Sequence, residues 1–117
     1  LLRANTQNGQ SDGKNDKAEI VWYTTIMLSE FTLNKIATIL KNEGCKEIFL
    51  FGSHATGRAH ANSDIDIGIR GLAPAKFFSA YARLDNEIPE KIDFVDFDEQ
   101  VAFYNFLGSI GELKKIG

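Results

Sequence analysis

One segment of the sequence constrains the fold more than any other. The apolar run Glu47–Phe51 is closed by the turn Gly52-Ser53, and after ten further residues Asp64-Ile65-Asp66 begins a stretch in which polar and apolar residues alternate. Short apolar runs are typical of buried strands, and strict alternation is typical of a strand with one covered face. We therefore expect two strands joined by a small-residue connection, with two carboxylates beside a Gly-Ser turn.

The other predicted elements follow from helical periodicity and from turn residues. A helix is predicted from Ser29 to Gly44, since serine suits a helix N-cap and glycine commonly ends a helix. Pro74 opens a second helix, Lys91–Phe97 forms a third strand, and Glu99–Ile116 forms a final helix that contains two glycines. The order of helix, strand, turn-helix, strand, helix, strand and helix indicates the α/β (α+β) fold class.

The length of 117 residues suits one domain, which we place at residues 27–117. Residues 1–26 begin with a polar, turn-rich stretch, and we interpret them as a disordered leader or as one derived from expression or read-through. Met27 is then the natural start. The alternative is a native tail whose Ile20–Ile26 stretch pairs as an edge strand.

Charge and composition exclude several classes of function. The net charge of -3 provides no global field to attract nucleic acid or an anionic membrane. No run approaches the roughly 18 apolar residues of a membrane helix, and no secretory signal is recognisable. Cys45 is the one cysteine, so no internal disulfide can form. We expect a cytoplasmic protein in which Cys45 is a packed small residue rather than a nucleophile.

Two carboxylates of the second strand are candidate metal ligands. Asp64 and Asp66 are two residues apart and therefore point to the same face. Their Cα atoms are expected roughly 6–7 Å apart, and their charges repel unless a cation lies between them. Oxygen ligands favour Mg²⁺ or Mn²⁺ over softer metals. A solvated strand face is the alternative for a lone Asp-x-Asp, but the preceding Gly-Ser turn favours a metal site.

A third carboxylate is expected from the neighbouring strand. Ile92 and Phe94 form the buried pair of that strand, so Asp93 points to the same face as the Asp-x-Asp pair. Asp96 shares the parity of the buried pair and is the reserve choice. Asp98 begins the next turn or caps the last helix. We therefore select Asp93.

The Gly-Ser turn is the expected phosphate-binding element. Gly52 lets the backbone approach a ligand, and Ser53 offers a hydroxyl and an N–H where a short helix begins; a simple tight turn is the alternative. The segment Gly52–Ala59 nearly matches a P-loop, but arginine and alanine replace its lysine and its hydroxyl residue, so we reject that interpretation. Arg58 either meets phosphate or is a solvated loop arginine. His54 either lines the pocket or lies on the surface.

These motifs resemble the nucleotidyltransferase superfamily related to DNA polymerase β. The resemblance is greatest to its minimal nucleotidyltransferases, the small partner proteins of HEPN toxins. The pattern of the superfamily is an apolar strand, Gly-Ser, a connection, Asp-x-Asp, and a third acidic residue between apolar neighbours. Here Ile48–Ser53, Ser63–Ile67 and Ile92–Val95 match it, and the resemblance covers about residues 28–117. His54 stands where these small proteins often carry arginine.

The resemblance implies a small mixed β-sheet flanked by helices, and a site for ATP or another NTP with Mg²⁺, Mn²⁺ being the alternative metal. The resemblance implies a pair of metal ions. Asp64 and Asp66 would hold the metals that bridge the triphosphate. Asp93 would hold the metal that activates an acceptor hydroxyl, and would assist its deprotonation.

The resemblance also assigns the groups that hold the nucleotide. Gly52 and Ser53 would meet the β- and γ-phosphates. Ser63 and Arg58 complete the predicted nucleotide-binding set.

The function implied by the resemblance is transfer of AMP to a tyrosine of a HEPN toxin, so that the chain acts as an antitoxin. The alternatives are an inactive binding module, the catalytic subunit of an antibiotic-type adenylyltransferase, and a small α/β domain with a coincidental motif. A homo-oligomer stays open. Aromatic residues near the end either form the partner surface or pack a helix, and we prefer packing: Phe103, Tyr104 and Phe106.

Overall fold

The first described element is a helix that covers one face of a sheet. The structure is a computed structural model that describes residues 30–60 and 62–117. Helix α1 occupies residues 30–43 and ends at Gly44, whose φ of 106° lets the chain turn towards the first strand. The predicted leader, the Met27 start and the alternative edge strand Ile20–Ile26 lie outside the described residues.

In the part of the chain that the structure describes, four strands form one sheet. They are β1 (Glu47–Phe51), β2 (Ile65–Arg70), β3 (Ile92–Asp96) and β4 (Lys114–Ile116), and their order in the sheet is β3-β2-β1-β4. Strand β1 pairs antiparallel with both β2 and β4, whereas β2 and β3 are parallel. The predicted α/β class and the mixed sheet flanked by helices are confirmed.

Three further helices connect these strands. The short helix α2 (Ser53–Thr56) lies in the connection between β1 and β2. A 3-10 turn at Pro74–Lys76 leads into α3 (Phe77–Glu87), which carries the chain from β2 to the parallel strand β3. Helix α4 (Val101–Ser109) follows β3. Within the described ranges, the helices are too short or too polar for any of them to cross a bilayer.

One face of the sheet packs against an aliphatic core beneath α1 and α3. Side chains alternate between the two faces of a strand, so every second residue of β1 and β2 points into this core. Ile67 and Ile69 have no exposed surface, and Ile48 is 1 % exposed. The helices contribute buried aliphatic residues to the same cluster, namely Ile36, Leu40, Ala80 and Leu84.

The other face carries an aromatic cluster beneath α4. Phe49, Phe51 and Phe97 pack there with Leu107 of the helix. Gly68 of β2 lies directly under Phe97, and a Cβ at this position would overlap the ring. The missing side chain therefore lets the aromatic ring lie against the strand.

Helix α4 only partly follows the packing expected for its aromatic residues. Phe103 and Tyr104 pack against the aromatic cluster, which confirms the preferred interpretation for them. Phe106 is 56 % exposed, so the packed interpretation is wrong for that residue.

The predicted final helix, Glu99–Ile116, is wrong beyond Ser109. The chain turns at Gly111, whose φ of 72° suits glycine, and the N–H of Glu112 donates back to the carbonyl of Leu107 at 2.9 Å. The next residues form β4 instead of continuing the helix. The edge of β1 supplies backbone partners for this strand, and this long-range pairing leaves no local signal in the sequence.

Candidate active site

Strands β2 and β3 bring acidic side chains to the face of the sheet that also carries the aromatic cluster. In the parallel ladder, Asp66 of β2 lies opposite Asp93 of β3. Asp64 directly precedes β2 and has the same parity as Asp66. The structure therefore places Asp93, rather than the reserve choice Asp96, beside Asp66.

The Asp66–Asp93 pair is under electrostatic strain. Burial, followed by the negative charge of Asp93 and a hydrogen bond between the two carboxyl groups, raises the pKa of Asp66 from 3.8 to about 6; the charge of Asp64 acts in the same direction. Asp66 is half-buried whereas Asp93 is exposed at the edge of the sheet. In the absence of a cation, the Asp66 carboxyl group thus holds its proton more readily than an isolated aspartate would.

Asp64 has a different partner. Its Oδ2 lies 3.6 Å from Nζ of Lys91, the residue directly before β3. Within residues 30–60 and 62–117, no group of three or more His, Cys, Asp or Glu side chains is arranged to hold a metal ion. The structure therefore brings two of the three predicted metal ligands together and turns the third towards a lysine.

The Gly-Ser turn lies directly against this acidic pair. Gly52 has a φ of 73° and a ψ of -152°, a combination that is essentially restricted to glycine. A Cβ at Gly52 would overlap the carboxylate of Asp66. Ser53 starts α2, and the N–H groups of Ala55 and Thr56 donate back to the carbonyl of Gly52 at 3.1 and 3.2 Å. This contact fixes the turn beside the carboxylates, as the sequence pattern predicts.

The other predicted nucleotide-binding residues lie in the connection between β1 and β2. Ser63 is part of a local turn: its hydroxyl accepts a hydrogen bond from the N–H of His60 at 2.9 Å. Its carbonyl lies 3.4 Å from Nε2 of His54. Arg58 is 69 % exposed at its side chain and lies 3.7 Å from Glu112, near the start of β4. Arg58 is thus oriented to the C-terminal turn in this structure.

The two unselected aspartates close a turn instead of joining the acidic pair. The carboxylate of Asp96 accepts the N–H of Asp98 at 2.9 Å, and the carboxylate of Asp98 accepts the N–H of Gly71 at 2.7 Å. Of the two roles considered for Asp98, the turn is therefore the observed one. Gln100, rather than Asp98, occupies the N-cap position of α4.

Cys45 is buried at the end of α1, and burial raises the pKa of its thiol to about 11. The nearby charges of Glu43 and Asp96 act in the same direction. A buried thiol with this pKa stays neutral, which confirms the expected packing role.

The donor set suits a divalent cation that prefers oxygen ligands. Asp66 and Asp93 offer carboxylate oxygens from adjacent strands, and burial, followed by repulsion from the charge of Asp93, raises the pKa of Asp66. A Mg²⁺ or Mn²⁺ ion would relieve that repulsion. The carboxylate of Asp64 could serve as a third ligand after its ion pair with Lys91 breaks.

Sequence reasoning missed Lys91. It precedes Asp93 by two residues, so it shares the face of Asp93, and this parity was the available signal.

The glycine turn therefore contacts Asp66, which lies opposite Asp93 on the adjacent strand. Over residues 34–110, the chain matches the family "Polymerase beta, Nucleotidyltransferase", and it belongs to that family. No curated protein matches the sequence.

Among solved structures, the chain is similar to a crystal structure of a toxin-antitoxin with AMP-PNP. The identity is 26 %, the TM-score is 0.57, and the match covers 71 % of this chain and 70 % of the other. A variant of the toxin-antitoxin MntA-HpeT is similar at 25 % identity with a TM-score of 0.56, covering 72 % of this chain and 70 % of the other. The predicted membership in the minimal nucleotidyltransferases of the polymerase β-like superfamily is confirmed.

Proposed function

We propose that this chain is a metal-dependent nucleotidyltransferase that moves AMP from ATP to a hydroxyl group on a HEPN-type partner toxin and thereby acts as its antitoxin. The observation that carries the proposal is the position of Asp66, opposite Asp93 on one side and in contact with the Gly52 turn on the other. The similar structure with AMP-PNP, an ATP analogue, supports ATP as the donor, and its toxin-antitoxin setting supports the role.

Asp64, Asp66 and Asp93 would hold the divalent metal. When bound, Mg²⁺ or Mn²⁺ would supply charge neutralisation of the triphosphate and a lower pKa for the acceptor hydroxyl. The backbone at Gly52 approaches the site closely because glycine lacks a Cβ. Ser53 adds a hydroxyl and a backbone N–H for the phosphates. Ser63 and Arg58 are the further proposed nucleotide contacts.

The acceptor oxygen forms a bond to the α-phosphorus as the bond between that phosphorus and the α–β bridging oxygen breaks. Pyrophosphate leaves with the bonding electrons. Asp93 takes the acceptor proton, since it is exposed at the edge of the sheet where a hydroxyl from outside approaches. The half-buried Asp66 would hold the metal behind it.

The position of Asp93 also supports an acceptor on a macromolecule. Among the strands of residues 30–60 and 62–117, β3 is the last in the sheet, so one side of Asp93 faces no described strand. A tyrosine on the surface of another protein reaches a carboxylate at such an edge more readily than it would reach one inside a closed pocket.

The test is label transfer from ATP labelled at the α-phosphate. The protein is incubated with Mg²⁺ and the product of the neighbouring gene, and incorporation into either chain is measured. We expect labelling of the partner that is lost in Asp64→Asn and Asp66→Asn. Asp85→Asn, which changes an exposed aspartate on α3, is the matched control and should transfer at the wild-type rate.

The same assay distinguishes the alternatives. A tight complex without label transfer would contradict the enzymatic proposal and favour a binding module that neutralises its partner. Transfer to an aminoglycoside instead of the partner would favour an antibiotic-type adenylyltransferase.

A further inference from the structure

Lys91 lies beside the acidic side chains at the start of strands β2 and β3. Asp64 and Lys91 each stand one residue before the first rung of the β2–β3 ladder, in which Ile65 faces Ile92. The N–H of Ile65 donates to the carbonyl of Lys91 at 2.9 Å, which fixes the backbone of the lysine at this point. Three carboxylates and one ammonium group therefore occupy neighbouring positions on one face.

The ion pair is arranged so that it can be exchanged. Nζ of Lys91 lies 3.6 Å from Oδ2 of Asp64, which is beyond the usual length of a charge-assisted hydrogen bond. The lysine side chain is 74 % exposed and that of Asp64 is 36 % exposed. Exposed pairs of this kind contribute little to stability, so a stronger ligand displaces them easily. No other described lysine or arginine forms an ion pair with Asp64, Asp66 or Asp93.

We propose that Lys91 is an exchangeable counter-ion: it occupies Asp64 while the site holds no metal, and it binds the phosphates of the nucleotide once a divalent metal has taken Asp64. The inference rests on the proposed function. It follows from charge balance, because a cation at Asp64 repels the ammonium group. The phosphates of the nucleotide are anionic, so they can bind the ammonium group that the metal has displaced from Asp64.

This role predicts opposite effects on two binding equilibria. Without nucleotide, Lys91 competes with the metal for Asp64, so its removal strengthens metal binding. With nucleotide, Lys91 contributes a contact to phosphate, so its removal weakens nucleotide binding. A lysine that only stabilises the fold would not move the two affinities in opposite directions.

The test uses the full chain and the variant Lys91→Met, which keeps the length of the side chain but removes its charge. Lys115→Met is the matched control. Lys115 is 61 % exposed at its side chain and lies 3.7 Å from Glu47, in a comparable ion pair on the opposite edge strand β4. Both variants change the net charge equally. Mn²⁺ is titrated alone, with bound metal followed by electron paramagnetic resonance, and ATP is titrated in the presence of Mg²⁺ by calorimetry.

We expect Lys91→Met to bind Mn²⁺ about fivefold more tightly and ATP about tenfold more weakly, whereas Lys115→Met changes both by less than about twofold. The gain in Mn²⁺ affinity should shrink at high salt, which screens exposed charges. Lys91→Arg should restore ATP binding and the weaker Mn²⁺ binding. Because Lys91→Arg keeps the positive charge, its Mn²⁺ and ATP affinities serve as a second measurement if the methionine variant folds poorly.

Equal behaviour of Lys91→Met and Lys115→Met would overturn the role of Lys91 and leave the proposed function intact. Weakening of both affinities in Lys91→Met would also overturn it, since that result indicates a structural role. If the wild-type chain binds neither Mn²⁺ nor ATP, the proposed function itself is wrong, and the role of Lys91 is wrong with it.

Discussion

The two faces of strand β2 serve different purposes. Ile65, Ile67 and Ile69 point into the aliphatic core and are at most 3 % exposed. On the other face, Asp66 is half-buried beside a second carboxylate, and burial and that neighbour raise its pKa to about 6. One strand therefore carries a favourable packing surface and an unfavourable electrostatic surface, separated only by the alternation of side chains. The packing of the core face thus holds Asp66 in a position where its carboxylate is destabilised.

The largest effect should come from the acidic face and should leave the fold intact. Asp93→Asn is expected to lower the rate of label transfer by about 10³-fold, because it removes a proposed metal ligand and the proposed proton acceptor. The free energy of unfolding should stay the same or rise, since a repulsion is removed. Kinetic assays together with urea unfolding measure both quantities.

Asp96→Asn is the matched control for this prediction. Asp96 lies on the same strand with the opposite parity, and asparagine keeps an oxygen that can accept the N–H of Asp98. Transfer should continue near the wild-type rate. Loss of transfer in Asp96→Asn but not in Asp93→Asn would break the comparison between the faces, because parity would then not separate function from packing.

On the core face of β2, a substitution should lower the stability of the fold rather than act directly on the transfer reaction. Ile67→Ala removes a side chain with no exposed surface and should lower the free energy of unfolding by about 3–4 kcal/mol. Val101→Ala, at a position that is 52 % exposed on α4, should cost less than about 0.5 kcal/mol. Urea unfolding monitored by circular dichroism gives both values. Equal costs at the two positions would mean that the isoleucine face is not the stabilising one.

Much of this comparison could be predicted from the sequence, because it depends on local periodicity. Strict alternation in Asp64–Arg70 predicts which residues of β2 share a face, and the same logic selects Asp93 over Asp96. The Gly-Ser turn is recognisable because its glycine backbone conformation excludes other residues.

The parts that could not be predicted depend on contacts between distant segments. Strand β4 forms because the edge of β1 is available, and the short run Lys114–Ile116 carries no strand signal of its own. The orientation of Asp64 towards Lys91 depends on the register of β2 against β3, which the sequence does not specify. Arg58 meets Glu112 for a similar reason, since the turn after α4 brings that carboxylate near the β1–β2 connection.

The contact between the glycine turn and the acidic pair can be tested with two alanine variants. Gly52→Ala should lower the free energy of unfolding by about 2–3 kcal/mol, because alanine rarely adopts this backbone conformation and its Cβ would overlap the Asp66 carboxylate. It should also weaken ATP binding.

Gly57→Ala is the matched control for the turn. Gly57 has a φ of 78° and a ψ of 14°, and an added Cβ would meet nothing within 4 Å. The expected cost is only about 1 kcal/mol, with unchanged ATP binding. Calorimetric titration of both variants measures the difference. If Gly57→Ala impaired ATP binding as strongly as Gly52→Ala, general strain in the connection would explain the effect better than contact with Asp66.

The smallest expected effect is a pH dependence that belongs to the acidic face alone. Without metal, the folded chain holds the Asp66 proton more tightly than the unfolded chain, because the pKa is raised from 3.8 to about 6. The corresponding stability is fully present below about pH 3.8 and is lost as the pH rises through about 6. Asp66→Asn has no such proton to lose.

The free energy of unfolding of Asp66→Asn, relative to that of the wild type, should therefore rise between about pH 4.5 and pH 7.5 by about 1 kcal/mol, a value that allows for solvent screening of a part-exposed group. Urea unfolding in the presence of a chelator measures this difference. Excess Mg²⁺ should reverse it at the higher pH, since the metal stabilises the wild type but lacks a ligand in the variant. A pH-independent difference would show that Asp66 carries no strain, and the two faces of β2 would then differ in exposure alone.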